Sequence, residues 1–428
     1  MRRIRAAVVA LGLALVLASP ALAATEVTFW SAPNPPQEVF WRQMAERFNA
    51  SQDEIRVTVR AMAESPSSEA TILTALAGGT APTGSENIFI GFGSQLFESG
   101  ALVPLDTLPG WEELIKARNM EQSIEAWKFP DGHYYILPIY ANAMLFGWRI
   151  DLLKELGYQE PPRTYSEVIE VGRRLRERDR SMFLLARPAL AQNTWWERWF
   201  DFLLLYNAAS DGQPFISGAD ITADEEAAIG VLQFYKELND HQLLLTRTVT
   251  DPFATGLSIW QELGPWTFSD WAERFPELQY GVHFTLTPPP VPDHVPADQP
   301  VKTFADAKGL VIYAQSSPEE QQALFEFIRW VFSDPANDLE WLEVTGLPPV
   351  RDDLAANPVF QEFFEANPVL RPYAEALPYA VPPFTNSRFA DIQTTLSDEG
   401  LLPVLAGRKS PETAWRDAKA AIQAILDR

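Results

Sequence analysis

Glu26-Val27-Thr28-Phe29-Trp30 alternates polar and apolar side chains, the signature of a half-buried strand. A loop holding Pro33, Pro35 and Pro36 follows, and then a helix with Phe40, Met44 and Phe48 at spacing four on one face. Ile55-Arg56-Val57-Thr58-Val59 alternates again, Ile72 to Ala77 reads as a helix stopped by Gly78-Gly79, and Ile88 to Ile90 as a short strand. Strand, helix, strand, helix at this spacing predicts an α/β domain with much parallel pairing. Outward from that stretch, Tyr134 to Pro138 and Met144 to Trp148 read as strands, and Tyr165 to Arg176, Trp195 to Tyr206 and Ala223 to Leu238 as helices. Six prolines between Pro288 and Pro300 form a surface connector before a strand at Gly309 to Tyr313. Ser317-Pro318-Glu319-Glu320 opens a helix with an N-cap serine, and Ser410-Pro411 opens the last helix, with Trp415, Ala418, Ile422 and Ile425 on one face.

A chain of 428 residues implies two or three domains. Its 46% hydrophobic and 21% charged content is globular, and 57 acidic against 34 basic residues give a net charge of −23. That acidity repels phosphate backbones and anionic lipid faces, so neither nucleic acid nor a membrane surface is an expected partner. With no cysteine, disulfides, thiolate catalysis, Cys–zinc sites and an acylated lipoprotein cysteine are excluded. Residues 1–23 read as a cleaved export signal: Arg2, Arg3 and Arg5, an apolar run from Ala6 to Ala18, and the small-x-small pattern Ala21-Leu22-Ala23. Export without a lipid anchor points to the periplasm.

His133, His241, His283 and His294 are scattered, with no metal-ligand spacing among them. Dinucleotide, phosphate-loop and nucleophile-elbow motifs are missing. No cofactor or metal is expected, and no catalytic residue is assigned. A secreted carbohydrate-active enzyme stays open as an alternative, because a glycosidase needs only two carboxylates brought together in space. The informative excess is the 14 tryptophans. Trp330, Trp341 and Trp415 have the spacing of packed helix faces. Trp30, Trp266 and the cluster Trp195, Trp196 and Trp199 instead lie where elements end, beside proline, glycine or amide residues. Such rings suit a ligand with apolar faces and a hydroxyl rim, as a sugar has; packing is the alternative for each. Glu86 and Asn87 sit where a strand begins and apolar residues are usual, so they are expected to hydrogen-bond ligand hydroxyls.

Several stretches together resemble the family 1 extracellular solute-binding proteins of ABC importers, the maltose-binding type. They are Val27-Thr28-Phe29-Trp30 with Arg47-Phe48-Asn49; Leu96-Phe97-Glu98-Ser99-Gly100-Ala101-Leu102-Val103-Pro104-Leu105; and Asp131-Gly132-His133-Tyr134-Tyr135-Ile136-Leu137-Pro138. Tyr165-Ser166-Glu167-Val168, Phe253-Ala254-Thr255-Gly256 with Gly264-Pro265-Trp266, Gly346-Leu347-Pro348-Pro349-Val350-Arg351, and Leu405 to Glu412 continue the series in order. Pro82-Thr83-Gly84-Ser85-Glu86-Asn87 and Ala305-Asp306-Ala307-Lys308-Gly309 depart from the family pattern near the expected cleft, so ligand identity does not carry over from maltose.

The resemblance implies a two-lobe periplasmic-binding-protein fold of α/β class, with three crossovers near Ile139–Asn142, Thr303–Asp306 and Val350–Arg351. The N-terminal lobe would comprise 24–140 plus 306–350, and the C-terminal lobe 141–305 plus 351–428. A sugar, from mono- to oligosaccharide, would sit between lobes that close by hinging and deliver it to ABC permease subunits, the protein itself being a monomer. Trp266 is the expected stacking platform, after the turn at Gly264-Pro265. Trp30, Asn34, Glu86, Asn87, Tyr140, Asn142, Trp195, Trp196, Gly264, Asp306, Lys308, Arg351, Phe384 and Asn386 complete the expected ligand-binding set. A polyol or glycerol-phosphate-type solute is the alternative ligand; phosphate would require Arg351, Arg371 and Arg388 to converge.

Overall fold

A computed structural model describes residues 24–63 and 67–428; the proposed export signal at 1–23 lies outside the described residues. The opening stretch folds as β1 (Thr25–Ser31), α1 (Pro35–Ser51), β2 (Ile55–Ala61), α2 (Ser68–Ala77), β3 (Gly84–Ile88) and α3 (Ile90–Glu98). β1 pairs in parallel with β2 and β3, as the alternation predicts. Pro35 and Pro36 belong to the first turn of α1 rather than to a loop, because proline lacks only an N–H that a first turn leaves unpaired anyway. Phe40, Met44 and Phe48 are buried against the sheet. The third strand begins four residues before the expected Ile88: Gly84 packs so tightly on the Val311 carbonyl that a Cβ would lie 2.4 Å away.

β4 (Leu137–Ala143) leads into β5 (Leu145–Trp148), which joins a second sheet with β6 (Phe183–Ala186), β9 (Leu244–Leu245), β10 (Ser258–Leu263) and β11 (Thr285–Thr287). The short strands β7 (Ile216–Ser217) and β8 (Asp220–Ile221) form a separate hairpin. β12 (Thr303–Ile312) returns to the first sheet, whose order is β13-β12-β3-β1-β2 with β4 on β12; β13 is Ala380–Val381. Each sheet has its own core: Phe29, Trp41, Ile88, Leu310 and Trp341 in one, Phe146, Trp148, Val168, Trp260 and Trp415 in the other. A third cluster joins Leu145, Phe253, Leu263 and Trp271 to Phe360, Phe364 and Tyr373.

Other boundaries move for identifiable reasons. Tyr134 makes only a bridge to Lys128, since its N–H donates to Asp106 and its carbonyl accepts from Leu105; the strand starts at Leu137. The expected helix from Trp195 to Tyr206 breaks at Asp201, whose carboxylate accepts from the Phe202 N–H at 2.6 Å and pairs with Arg198. β12 starts at Thr303 rather than Gly309, and β13, expected in the second lobe, adds to the edge of the first sheet beside Thr303 and Phe304. The capped starts at Ser317 and Ser410 stand as read. Among the described residues no helix is long and apolar enough to cross a membrane.

The passages between the sheets lie side by side. β4 and β12 are antiparallel, Asp306 opposite Asn142 and Lys308 opposite Tyr140. The third passage, Pro348 to Val350, is hydrogen-bonded to Ala141 and Ile139 of β4. Beneath them, Arg118 donates to the carbonyls of Pro138 (2.6 Å) and Ile139 (2.8 Å) and pairs with Asp338 at 2.9 Å. Asp338 also receives Arg351 at 3.0 Å, and all three side chains are almost wholly buried. Burial lowers the Arg118 pKa, and the Asp338 charge opposes that shift. Removing the shared carboxylate would strand two buried guanidiniums. Asp338→Ala is therefore expected to cost about 3–5 kcal/mol of stability in chemical denaturation, whereas Arg47→Ala, at an exposed pair with Glu340, costs about 1 kcal/mol or less.

Candidate functional site

A strand's alternation gives the paired ribbon of β4 and β12 two faces. Tyr140, Asn142, Asp306 and Lys308 face a cavity of ≈ 490 Å³. Ala141, Ala305 and Ala307 face away, into a smaller cavity behind the crossing strands. The front cavity is closed from the first sheet's side by Asn34, Asn87 and the start of α2 at Ser67, Ser68 and Glu69, and from the second sheet's side by Trp266. Asn34 precedes α1 without its side chain capping the helix. Asn87 has φ +68°, and its amide is fixed at both ends: the oxygen accepts from Lys308 Nζ at 2.8 Å and the nitrogen donates to Ser68 at 3.3 Å. Burial raises the Asp306 carboxyl above its ordinary pKa, with Lys308 pulling the other way. Asn142 is fully buried opposite Asp306, and its amide also pulls the Asp306 pKa down.

Trp266 is 46% exposed, unusual for so large an apolar ring. It follows the end of β10, and its ring folds back over Gly264, where a Cβ would come within 2.2 Å of it. Glycine at 264 is thus a steric requirement for the ring's position. Trp266 also borders a second cavity of ≈ 280 Å³, shared with Trp196, Phe200, Gln261, Glu262 and Arg187. Trp196 is 47% exposed. Arg187 pairs there with Glu262 and, at 2.7 Å, with Glu197.

The remaining expected residues lie off these cavities. Trp30 packs against the core of the first sheet, and Trp195 against Phe389 and Phe89. Phe384 packs on Trp199 and Phe215, and Asn386 bonds the backbone of Gly218 and Arg388. Arg351 is held behind the ribbon by Asp338 and Asp353. Glu86 stands under the front cavity rather than on it: its carboxylate accepts from the Ala32 N–H at 2.7 Å and from Gln37 at 3.1 Å, and Ala32 and Gln37 do line the wall. Sequence reasoning passed over Gln37, Ser67, Ser68, Glu69, Leu347 and Gln261. The usable signal for the serines was the polar start of α2, Ser67-Ser68-Glu69. Among the described residues no group of His, Asp and Glu could hold a metal ion.

Two α/β lobes linked by three adjacent passages, with a cavity walled by both, define a two-lobe ligand-binding protein. Residues 43–369 match the family described as bacterial extracellular solute-binding protein, and the chain belongs to that family. It is 45% identical to the uncharacterized protein lmo0859 from Listeria monocytogenes EGD-e, whose crystal structure superposes with a TM-score of 0.90 over 94% of this chain and 100% of that one. The cyclic alpha-maltosyl-1,6-maltose binding protein from Arthrobacter globiformis shares the fold at 21% identity and TM-score 0.79, covering 94% and 99% of the two chains. The sn-glycerol-3-phosphate-binding periplasmic protein UgpB of Brucella abortus (strain 2308) is 23% identical over 179 residues, so the matched region spans 41% of that relative's length.

Glu86 gives the site a pH signature. Burial, opposed by the Ala32 N–H and other donors, raises its pKa from 4.5 to about 7. The folded state therefore keeps a proton that the unfolded chain loses. The resulting stability is fully present below pH 4.5 and is lost as pH rises through about 7. Thermal denaturation between pH 4.5 and 8 should show this loss, at most about 3 kcal/mol, and Glu86→Gln should flatten it. An unchanged slope in Glu86→Gln would place the titration elsewhere.

Proposed function

We propose that this protein captures a neutral sugar between its lobes and delivers it to the permease of an ABC importer. The observation that carries this reading is the exposed Trp266 ring in one cavity with a wall of polar groups, Asn34, Asn87, Asn142, Asp306 and Lys308. An indole face takes the C–H side of a pyranose, while amides and carboxylates satisfy its hydroxyls. The sugar named for the Arthrobacter globiformis neighbour agrees with it. Lobes 24–140 plus 306–350 and 141–305 plus 351–428 would hinge on the ribbon, and ligand touching both walls favours the closed form that the permease reads. Binding and release both matter to such a carrier, so a dissociation constant of order micromolar, about −8 kcal/mol, suits it. The protein acts without turnover, as a monomer exported to the periplasm by a leader cleaved near Ala23.

The match to UgpB favours a second reading, a glycerol-phosphate solute. The charges oppose it. Arg351 is committed to Asp338 and Asp353, Arg371 lies over Phe364, and Arg388 bonds the Ile425 carbonyl. Among the described residues, the front cavity sets Glu69 and Asp306 against one cation, Lys308, so a phosphate would meet more negative than positive charge. Calorimetry of the mature protein should detect a neutral sugar and no binding of sn-glycerol 3-phosphate; the reverse outcome overturns the reading. Trp266→Ala should weaken the sugar by about 2 kcal/mol or more, roughly 30-fold, while the melting temperature of the free protein holds. Light scattering with and without sugar should report a monomer; a dimer that buries the cleft would contradict the delivery model.

A further inference from the structure

We infer that the second cavity is a site for a small protonated amine, walled by Trp196, Phe200 and Trp266, with Glu197, Glu262 and Gln261 accepting from the ammonium N–H groups. The inference goes beyond the sugar reading and stands whether or not a sugar occupies the front cavity. Charge is the first argument. Glu197 and Glu262 bring two carboxylates, against one cation among the described lining residues, Arg187. That guanidinium is already committed: Nη1 donates to Glu262, Nη2 donates to Glu197 at 2.7 Å, and Nε points to Asp201 at 3.5 Å. Asp201 is balanced behind it by its buried partner Arg198. One negative charge is therefore left over at the cavity, and a neutral or anionic occupant would leave it unmatched.

Hydrogen bonding points the same way. Oε1 of Gln261 is buried with no hydrogen-bond partner among the described residues, and such an acceptor costs stability unless a donor meets it. Arg187 engages Oε1 of Glu262 and Oε2 of Glu197, so each carboxylate keeps a second oxygen that the guanidinium does not engage. An ammonium group brings up to three N–H donors and no acceptor, which suits a site whose spare atoms are acceptors. The walls add a third argument. Trp196 and Trp266 are the two tryptophans among the exposed large hydrophobic residues, and both border this cavity. Aromatic faces attract a cation through the ring quadrupole, indole most strongly, and their apolar bodies cover its alkyl part. A volume of ≈ 280 Å³ is at the small end for a ligand pocket, so the amine carries few other heavy atoms. The net charge of −23 favours the approach of a cation.

The test compares n-butylamine and cyclohexylamine with their uncharged counterparts, 1-butanol and cyclohexanol, by calorimetry at pH 7 in an amine-free buffer of low salt. Wild type, Glu262→Gln, Trp196→Ala and Glu69→Gln are titrated, each without sugar. At least one amine should bind wild type about tenfold or more tightly than its alcohol, and Glu262→Gln and Trp196→Ala should each weaken it by about tenfold. An alcohol that binds as tightly as its amine overturns the inference, because the cavity then reads only apolar bulk. Loss of the amine in Glu69→Gln and not in Glu262→Gln would put it in the front cavity and also overturn the inference. So would the absence of any amine binding to folded wild type. Far-ultraviolet circular dichroism and melting temperatures of the variants separate lost recognition from lost folding, and Trp196→Ala, at an exposed ring, keeps the test decisive if Glu262→Gln unfolds.

Discussion

Asp338, buried between the guanidiniums of Arg118 and Arg351, holds the first and third passages between the lobes in one place. Arg118 grips β4 through two carbonyls, and Arg351 stands at the end of the third passage. Buried charges are costly, and here each is matched by an opposite charge or a carbonyl dipole, so the arrangement tolerates little displacement. The three side chains thus form a rigid anchor beneath the crossing strands. Phe332 lies 4.0 Å from the Arg118 guanidinium and closes the anchor off from solvent.

The polarity of the site follows from where that anchor puts the ribbon. With β4 and β12 in fixed register, alternation sends Tyr140, Asn142, Asp306 and Lys308 forward and a set of alanines back. Alanine on the rear face leaves a cavity of ≈ 300 Å³ where larger side chains would wedge the lobes. Lys308 then reaches Asn87 on the neighbouring strand β3, so the ribbon and the end of β3 form one wall. Glu86 contributes from beneath by fixing Ala32 and Gln37, a role that needs a carboxyl with little solvent around it.

Trp266 shows how a local rule and a tertiary one combine. Gly264 and Pro265 mark a turn in any sequence, and glycine is needed there because the ring covers its backbone. Which side the ring faces depends on the second sheet being set against the first. The same holds for Trp195 and Trp196, adjacent in sequence and opposite in fate: Trp195 packs on Phe389 and Phe89, while Trp196 stands exposed at the second cavity.

The α/β class, the parallel pairing of the first strands and the capped helices at Ser317 and Ser410 were legible in the sequence, because alternation, helical spacing and capping are local properties of the chain. Resemblance added the two lobes and the region of the cleft, and the polar residues Tyr140, Asn142, Asp306 and Lys308 were recognisable from their place in a crossing strand. Local pattern could not distinguish a buried aromatic from an exposed one, so Trp30, Trp195 and Phe384 looked like Trp266. Nor could it show that Glu86 supports the wall from below, that Arg351 is consumed by Asp338, or that Gln261 lines the cavity beside Trp266. Those outcomes depend on which residues far apart in the chain arrive at the same place, and only the packing of one lobe against the other decides that.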